Sequence, residues 1–334
     1  MTQHPFVPAS RLFDARLSRR HLVELVAGGT ALGLSGALLG PGRFVAAQAT
    51  PPADLSIYPE VTITAEGDMS QGYSFGVPDS LPTGYVKITL DNKSEDADHH
   101  AMFLRPNDGV TADQLVEKIK ASTNPGEFVQ MAVSVGGPGS VSAGQSSTVI
   151  MNLEEGSYVL ICEVPASDGT PHYLMGMVAQ VEAKASGTPV TTAPTAETTV
   201  DLVDFAFDNL PTTVTTGQHI WEVHNSGTEE HEIAIFQLAP GITGKMMYGM
   251  LAASEAPAGT PAATAAAAAP SPAAAQSGPP FIDVAGAAPM DPDNTNWVVI
   301  DLQPGDYTTV CFVPDPKTGK PHFMLGMFAE FSVQ

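Results

Sequence analysis

The feature that most constrains this 334-residue chain is that it repeats itself. The segment His99 to Ser122 aligns without a gap on His231 to Ser254. Further on, GSYVLICEVP with Cys162 matches GDYTTVCFVP with Cys311, and GTPHYLMGM with His172 and Met177 matches GKPHFMLGM with His322 and Met327. Each copy thus carries a histidine, a cysteine, a second histidine and a methionine in the same order. Such self-similarity predicts two like units in tandem.

Length and composition agree with two units that each bury their own core. With 31 Gly, 29 Pro and 15% charged residues, the chain reads as loop-rich β structure, not as a helical bundle. Its formal charge of −22 argues against nucleic acid, because nine Lys and Arg beyond residue 50 cannot build a phosphate-binding surface among so many carboxylates. Basic partners fit that charge, and so does simple solubility.

The first 49 residues read as an address. Ser18, Arg19 and Arg20 lead into the apolar run Leu22 to Leu39, and Ala47-Gln48-Ala49 supplies a small-residue cleavage site. The pattern resembles a twin-arginine export signal, with a Sec signal or an anchor helix as the alternatives. Cleavage after Ala49 would remove five arginines and two carboxylates, taking the net charge from −22 to −25. No later segment has the unbroken apolar length of a membrane span. The expected destination is periplasmic or extracellular.

The remainder divides at its punctuation. Residues 60–185 and 200–334 are the expected domains, and 186–199 has the Pro/Thr/Ser composition of a linker. Val86, Ile88 and Leu90 alternate with Tyr85, Lys87 and Thr89, as do Val149, Met151 and Leu153 with their neighbours, predicting strands with one buried face each. The second copy repeats the latter as Val298, Ile300 and Leu302. One short helix per domain is expected after the first histidine. In TADQLVEKIK, Thr111 and Gln114 form a capping-box pattern and Leu115, Val116 and Ile119 share a face. The copies differ mainly at the Ala/Pro-rich stretch 255–280, expected to be a disordered surface loop, which widens the offset from 132 residues at the histidine to 149 at the cysteine.

The two cysteines occupy the same place in their copies, inside separate domains, so a disulfide between them is not expected. A free thiol in an oxidising compartment is protected when a metal holds it as thiolate. Soft thiolate and thioether ligands favour Cu(I), and two imidazoles also accept Cu(II), so a His, Cys, His and Met set accommodates both oxidation states of copper. Zinc can occupy the same ligands. The expected ligands are His99, Cys162, His172 and Met177 in one copy and His231, Cys311, His322 and Met327 in the other. His100 is an alternative to His99, which the alignment with His231 favours. Core packing is the alternative for Met177 and Met327, as it is the expectation for Met175 and Met324, but only Met177 and Met327 hold equivalent positions in both copies. Met246, Met247 and Met250 read as core packing at helical spacing, and His219, Trp221 and His224 as structural residues of a strand.

With these residues in view the chain resembles the cupredoxin family of blue type 1 copper proteins. The family's Gly-x-Tyr-x-x-x-Cys lead stands as Gly156 to Cys162 and Gly305 to Cys311, and the closing His-x-x-x-x-Met as His172 to Met177 and His322 to Met327. The resemblance implies all-β architecture, two tandem Greek-key β-sandwiches of seven or eight strands, one copper per domain, and electron transfer with a redox protein partner, basic in view of the acidity. Two departures stand out. Nine residues separate Cys162 from His172 and ten separate Cys311 from His322, and the residue after the first histidine is His100 in one copy and Glu232 in the other.

Copper storage or delivery and a metal-free cupredoxin-like binding module are the other readings. An enzyme of the multicopper oxidase or nitrite reductase kind is not expected. Those enzymes place a histidine beside the blue-copper cysteine, whereas here the neighbours are Ile161 and Glu163, and Val310 and Phe312.

Overall fold

Alternating apolar residues build most of the molecule into strands, and glycines at positive φ turn them. The computed structural model describes residues 54–122, 125–255 and 279–334. The expected export signal lies outside them, as does nearly all of the Ala/Pro-rich stretch. In the first half, β1 (Glu60–Asp68), β2 (Gly72–Gly76), β3 (Ser80–Leu81), β4 (Gly84–Asn92) and β5 (Met102–Pro106) precede α1 (Ala112–Ala121). Then come β6 (Ala132–Ser134), β7 (Ser146–Leu153), β8 (Gly156–Ile161) and β9 (Val178–Ala183). The second half runs through the same succession. It has β10 (Thr198–Val203), β11 (Ala206–Asp208), β12 (Thr213–Val214), β13 (Gly217–Asn225), β14 (His231–Leu238), α2 (Gly244–Ser254), β15 (Phe281–Met290), β16 (Thr295–Leu302), β17 (Gly305–Val310) and β18 (Phe328–Val333).

The architecture is all-β, with cupredoxin-like sandwiches. In each half the chain crosses between two sheets instead of adding hairpins side by side, the Greek-key habit. The strand count per half is nine, above the expected seven or eight, because the two-residue strands β3 and β12 pair with β9 and β18. Sheet one of the first half, in order β2-β1-β4-β7, continues into β16-β13-β10-β11, making eight strands in all. The other layer consists of β3-β9-β8-β5-β6 and β12-β18-β17-β14-β15.

The join has two-fold character. Across β7 and β16, Val149 pairs with Val298, its own counterpart 149 residues on, and Ile150–Trp297 and Thr148–Val299 change places when the halves are exchanged. The other layer obeys the same exchange: Asp291 donates its N–H to the Ser134 carbonyl at 2.9 Å, and Ser142 donates to the Asp283 carbonyl at 3.1 Å. Between them Ala288 donates to Gly137 and Gly139 donates to Gly286. Self-complementary pairing of this kind is how two-fold dimers associate, here within one chain.

This join alters one expectation. β4 alternates as read, with Val86, Ile88 and Leu90 fully buried, but β7 also buries Ile150 on its outer face, between half-buried Thr148 and exposed Asn152. Ile150 packs on its outer side with Tyr58, Ile220 and Trp297, and Val190, Ala193 and Ala196 of the linker stretch lie against that cluster. Tyr85 N–H donates to the Val190 carbonyl at 2.8 Å, which anchors the stretch to the sheet edge.

Two local devices repeat. The Tyr158 hydroxyl donates to the Glu154 carbonyl and accepts from its N–H, and Tyr307 does the same with Gln303, closing the turns that lead to the cysteine strands. Those turns need Gly156 and Gly305, whose φ values of 144° and 150° disfavour a side chain. The helix α1 has the full capping box between Thr111 and Gln114, and it buries Leu115, Val116 and Ile119. In α2, capped by Thr243, Met247 is fully buried and Met250 packs on the same cluster. Trp221 is core, His219 contacts Glu197 and the Thr215 carbonyl, and His224 contacts Thr295, so all three are structural as expected.

Candidate metal centres

Each centre draws its side chains from three places that the sheet brings to one end. His99 stands just before β5, where its backbone exchanges hydrogen bonds with Val141, while His231 opens β14. Asn92 and Asn225 fix the preceding turns. Their side-chain amides donate to the carbonyls of Ala97 and Val141 in one half and of Glu229 and Met290 in the other. Cys162 and Cys311 follow β8 and β17, free and fully buried.

The long loops after the cysteines are held closed. Pro165 bridges Pro171 and Pro314 bridges Pro321, so each loop returns on itself as a small hairpin. His172 N–H then donates to the Val164 carbonyl and His322 N–H to that of Val313. A single 3-10 turn follows, His172–Met175 and His322–Leu325, ended by Gly176 and Gly326. Both glycines have positive φ, and a Cβ on either would meet the carbonyl of Tyr73 or Phe205 at 3.0 or 3.1 Å. Met177 and Met327 come next, fully buried. Each donates its N–H to the histidine carbonyl at 3.0 Å, and its own carbonyl accepts from the cysteine N–H.

The side chains converge. In the first half the Nδ1 atoms of His99 and His172 are 3.0 Å apart, and Cys162 Sγ lies 3.7 and 3.6 Å from them. A point equidistant from these three atoms lies about 2.0 Å from each, a metal–imidazole distance and close to metal–thiolate. In the second half His231 and His322 present their Nδ1 atoms at 3.0 Å, with Cys311 Sγ 3.5 Å from the latter. All six residues are buried. Three donors, two imidazole nitrogens and a thiol sulfur, held at bonding distance from a common point, fit a metal ion. Soft thiolate with two imidazoles, and a buried methionine next in the chain, makes that ion copper.

Burial sets the protonation states. It pushes the His99 imidazole down to about 4 and lowers His231 and His322, so the rings are neutral and their nitrogens are available. The Cys162 thiol is pushed up to about 12 and Cys311 well above its ordinary value, also by burial. Without a cation these thiols stay protonated. A bound metal reverses that by supplying the charge the thiolate needs.

His100 is engaged elsewhere. Its Nε2 accepts the Glu163 N–H at 2.8 Å, which leaves His99 as the histidine of the cluster. Glu232 has the same task in the second half, its Oε1 accepting the Phe312 N–H at 2.9 Å. Unlike residues at this position thus brace the cysteine strand in like manner.

Four neighbours of the centres escaped the sequence reading. Tyr73 lies against both first-half imidazoles, with ring centroids 4.7 Å from His99 and 4.3 Å from His172. Phe205, its counterpart, lies 5.0 Å from His322. Asp204 Oδ1 is 3.1 Å from His231 Nε2, and Glu229 Oε2 is 3.5 Å from His322 Nε2. The hairpins carrying Tyr73 and Phe205 differ in length, which hid their equivalence. Glu229, two residues before His231, was in plain view.

No family model matches the chain, and no curated protein matches it. Solved structures do. A multicopper oxidase is similar at 15% identity over 82% of this chain and 88% of its own, with a TM-score of 0.23. Reduced auracyanin from the photosynthetic bacterium Roseiflexus castenholzii is 21% identical over 37% of this chain and 96% of its own, at 0.25. A copper nitrite reductase from Nitrosomonas europaea is 11% identical over 82% and 93%, at 0.23. Such distant likenesses describe a kind of fold. They also correct one expectation: with a multicopper oxidase and a nitrite reductase among the similar structures, the fold is compatible with an oxidoreductase, and the missing histidine beside each cysteine does not set enzymes aside. Among the described residues no helix is long and apolar enough to cross a membrane.

Proposed function

We propose that this chain is an exported copper protein with one mononuclear blue-copper centre in each of two tandem domains, 60–185 and 200–334 joined by 186–199, and that it transfers electrons. The triangle of His99, Cys162 and His172, met again in His231, Cys311 and His322, carries the reading. Met177 and Met327 would complete the ligand sets as weak thioether donors. Copper bound there would supply a one-electron couple at nearly constant geometry.

The protein's own part is to hold the ligands still and dry. Closed loops, 3-10 turns and the bracing by His100 and Glu232 keep the donors in place whichever oxidation state they face, which lowers the rearrangement that electron transfer requires. Export follows from Arg19-Arg20, the apolar run and Ala47-Gln48-Ala49, with the periplasm or cell exterior as destination. The net charge of −22 suits a basic redox protein as partner.

Titration of the purified protein with Cu(II), following the visible spectrum and copper bound per chain, tests this. An intense thiolate-to-copper band saturating at two coppers is expected, with half lost in Cys162→Ser and the other half in Cys311→Ser. Absence of the band, with both thiols still reactive after unfolding and no copper retained, overturns it. The same loaded sample, assayed for oxidase and nitrite reductase turnover, decides whether transfer ends in catalysis.

A further inference from the structure

The ligand sets of the two halves are alike, yet the charges behind them are not. In the second half Asp204 stands 3.1 Å from His231 Nε2 and Glu229 stands 3.5 Å from His322 Nε2. Asp204 is fixed in place, since its two oxygens accept from the Thr228 N–H at 2.8 Å and hydroxyl at 2.7 Å. Glu229 shares its other oxygen with Lys317 at 2.7 Å, which offsets part of its charge.

In the first half the corresponding space is aromatic. The Tyr73 ring covers His99 and His172, and its hydroxyl passes on to Asp96 Oδ1 at 3.1 Å, which keeps that carboxylate behind the ring. Gly72 precedes Tyr73 where Asp204 precedes Phe205, and Ala97 stands two residues before His99 where Glu229 stands before His231. His99 Nε2 is buried without a hydrogen-bond partner, and so is His322 Nε2, to which Glu229 at 3.5 Å is a charged neighbour and not a hydrogen-bond acceptor. More distant carboxylates act on both centres: Asp98 and Glu163 on the first, and Asp315, Glu230 and Glu232 on the second. Asp168 also acts on His172 in the first half, but among these only Asp204 and Glu229 are placed against a remote imidazole nitrogen.

A carboxylate at the remote nitrogen of a ligating imidazole makes that ligand more basic and adds negative charge beside the metal, whereas an apolar shell does neither. Both effects favour the more positive oxidation state. Resting on the copper reading, we propose that Asp204 and Glu229 hold the second-half centre at a lower reduction potential than the first-half centre, so that an electron entering at His231, Cys311 and His322 settles at His99, Cys162 and His172. In that step one electron leaves the reduced copper of the second half and reduces the oxidised copper of the first. No bond is made or broken and no proton moves. The halves meet near both centres: Glu163, next to Cys162, lies within electrostatic reach of Glu232, next to His231.

The test is a spectroelectrochemical titration of the copper-loaded full chain beside Cys162→Ser and Cys311→Ser, each of which retains one centre. The Cys162→Ser protein should titrate at the lower potential, so that at any shared ambient potential its oxidised-to-reduced ratio is at least tenfold that of Cys311→Ser, about 59 mV for one electron. Asp204→Asn should lower that ratio several-fold at the second centre and leave the first unchanged. Glu229→Gln should act in the same direction, which guards against a folding defect from losing the Asp204–Thr228 bonds. Ala97→Glu should raise the ratio at the first centre. Coincident midpoints, the opposite order, or carboxylate variants that shift nothing while both bands persist would overturn the proposal and leave the copper reading intact. No band in any of these proteins would overturn both.

Discussion

The first half covers both imidazoles with a tyrosine ring, whereas the second half sets Phe205 against His322 and adds a carboxylate at the remote nitrogen of each imidazole. Everything nearer to the metal position is alike: the Nδ1 atoms stand 3.0 Å apart in both, and the cysteine, second histidine and methionine are pinned by the same backbone bonds. The difference sits on the hairpin between the first two strands of each half and on the turn before the first histidine. Sheet pairing and the cysteine loop impose the ligand geometry, so those parts cannot drift apart without losing the triangle. Hairpin tips carry no such duty, and there the halves have diverged in length and charge. One fold thereby gives two like centres with unlike electrostatics.

The largest effect that bears on this comparison concerns the paired histidines. His99→Ala should take bound copper from two per chain to one and abolish the first-half band, as His231→Ala should for the second. His100→Ala should keep both coppers and cost about 1–3 kcal/mol through the unpaired Glu163 N–H, read from chemical denaturation. Loss of the band in His100→Ala with retention in His99→Ala would exchange their roles.

Acid should separate the halves next. In the metal-free protein His99 is neutral in the fold at about 4 against 6.5 in the unfolded chain, so unfolding takes up a proton as pH falls between these values. The fold therefore loses stability on acidification through that window, by roughly 3 kcal/mol from this residue when complete. Near His231, Asp204 and Glu229 oppose the effect of burial, and a smaller loss is expected there. Denaturation midpoints from pH 7 to pH 4, compared with His99→Gln and His231→Gln, measure both; equal acid losses would erase the contrast.

Two smaller effects should be equal in the halves. Val149→Ala and Val298→Ala, which face one another across the join, should each cost roughly 2 kcal/mol. Tyr158→Phe and Tyr307→Phe, which open the turns before the cysteine strands, should each cost about 1 kcal/mol. Denaturant titration checks all four, and a clear inequality within either pair would show that the join or the turn is not two-fold in energy.

Much of this was legible in the residues. The alternation of Val86, Ile88 and Leu90, the capping box at Thr111 and the order of His, Cys and His are local or repeated signals, and the structure presents them where the patterns placed them. Ile150 was not legible as a buried residue, because what covers it comes from the other half and from the linker stretch. Tyr73 and Phe205 were hidden by unequal hairpins, and the absence of a histidine beside each cysteine spoke too strongly against an enzyme.

The sequence by itself determined the strands, the cap of α1 and the histidines and cysteines that cluster, since periodicity, capping and donor chemistry are properties of neighbouring or repeated residues. Only the tertiary structure decided which histidine joins the cluster, how the halves meet through Val149 and Val298, and which groups stand behind each imidazole. Those depend on distances between residues far apart in the chain, and no local pattern encodes whether a ring or a carboxylate arrives there.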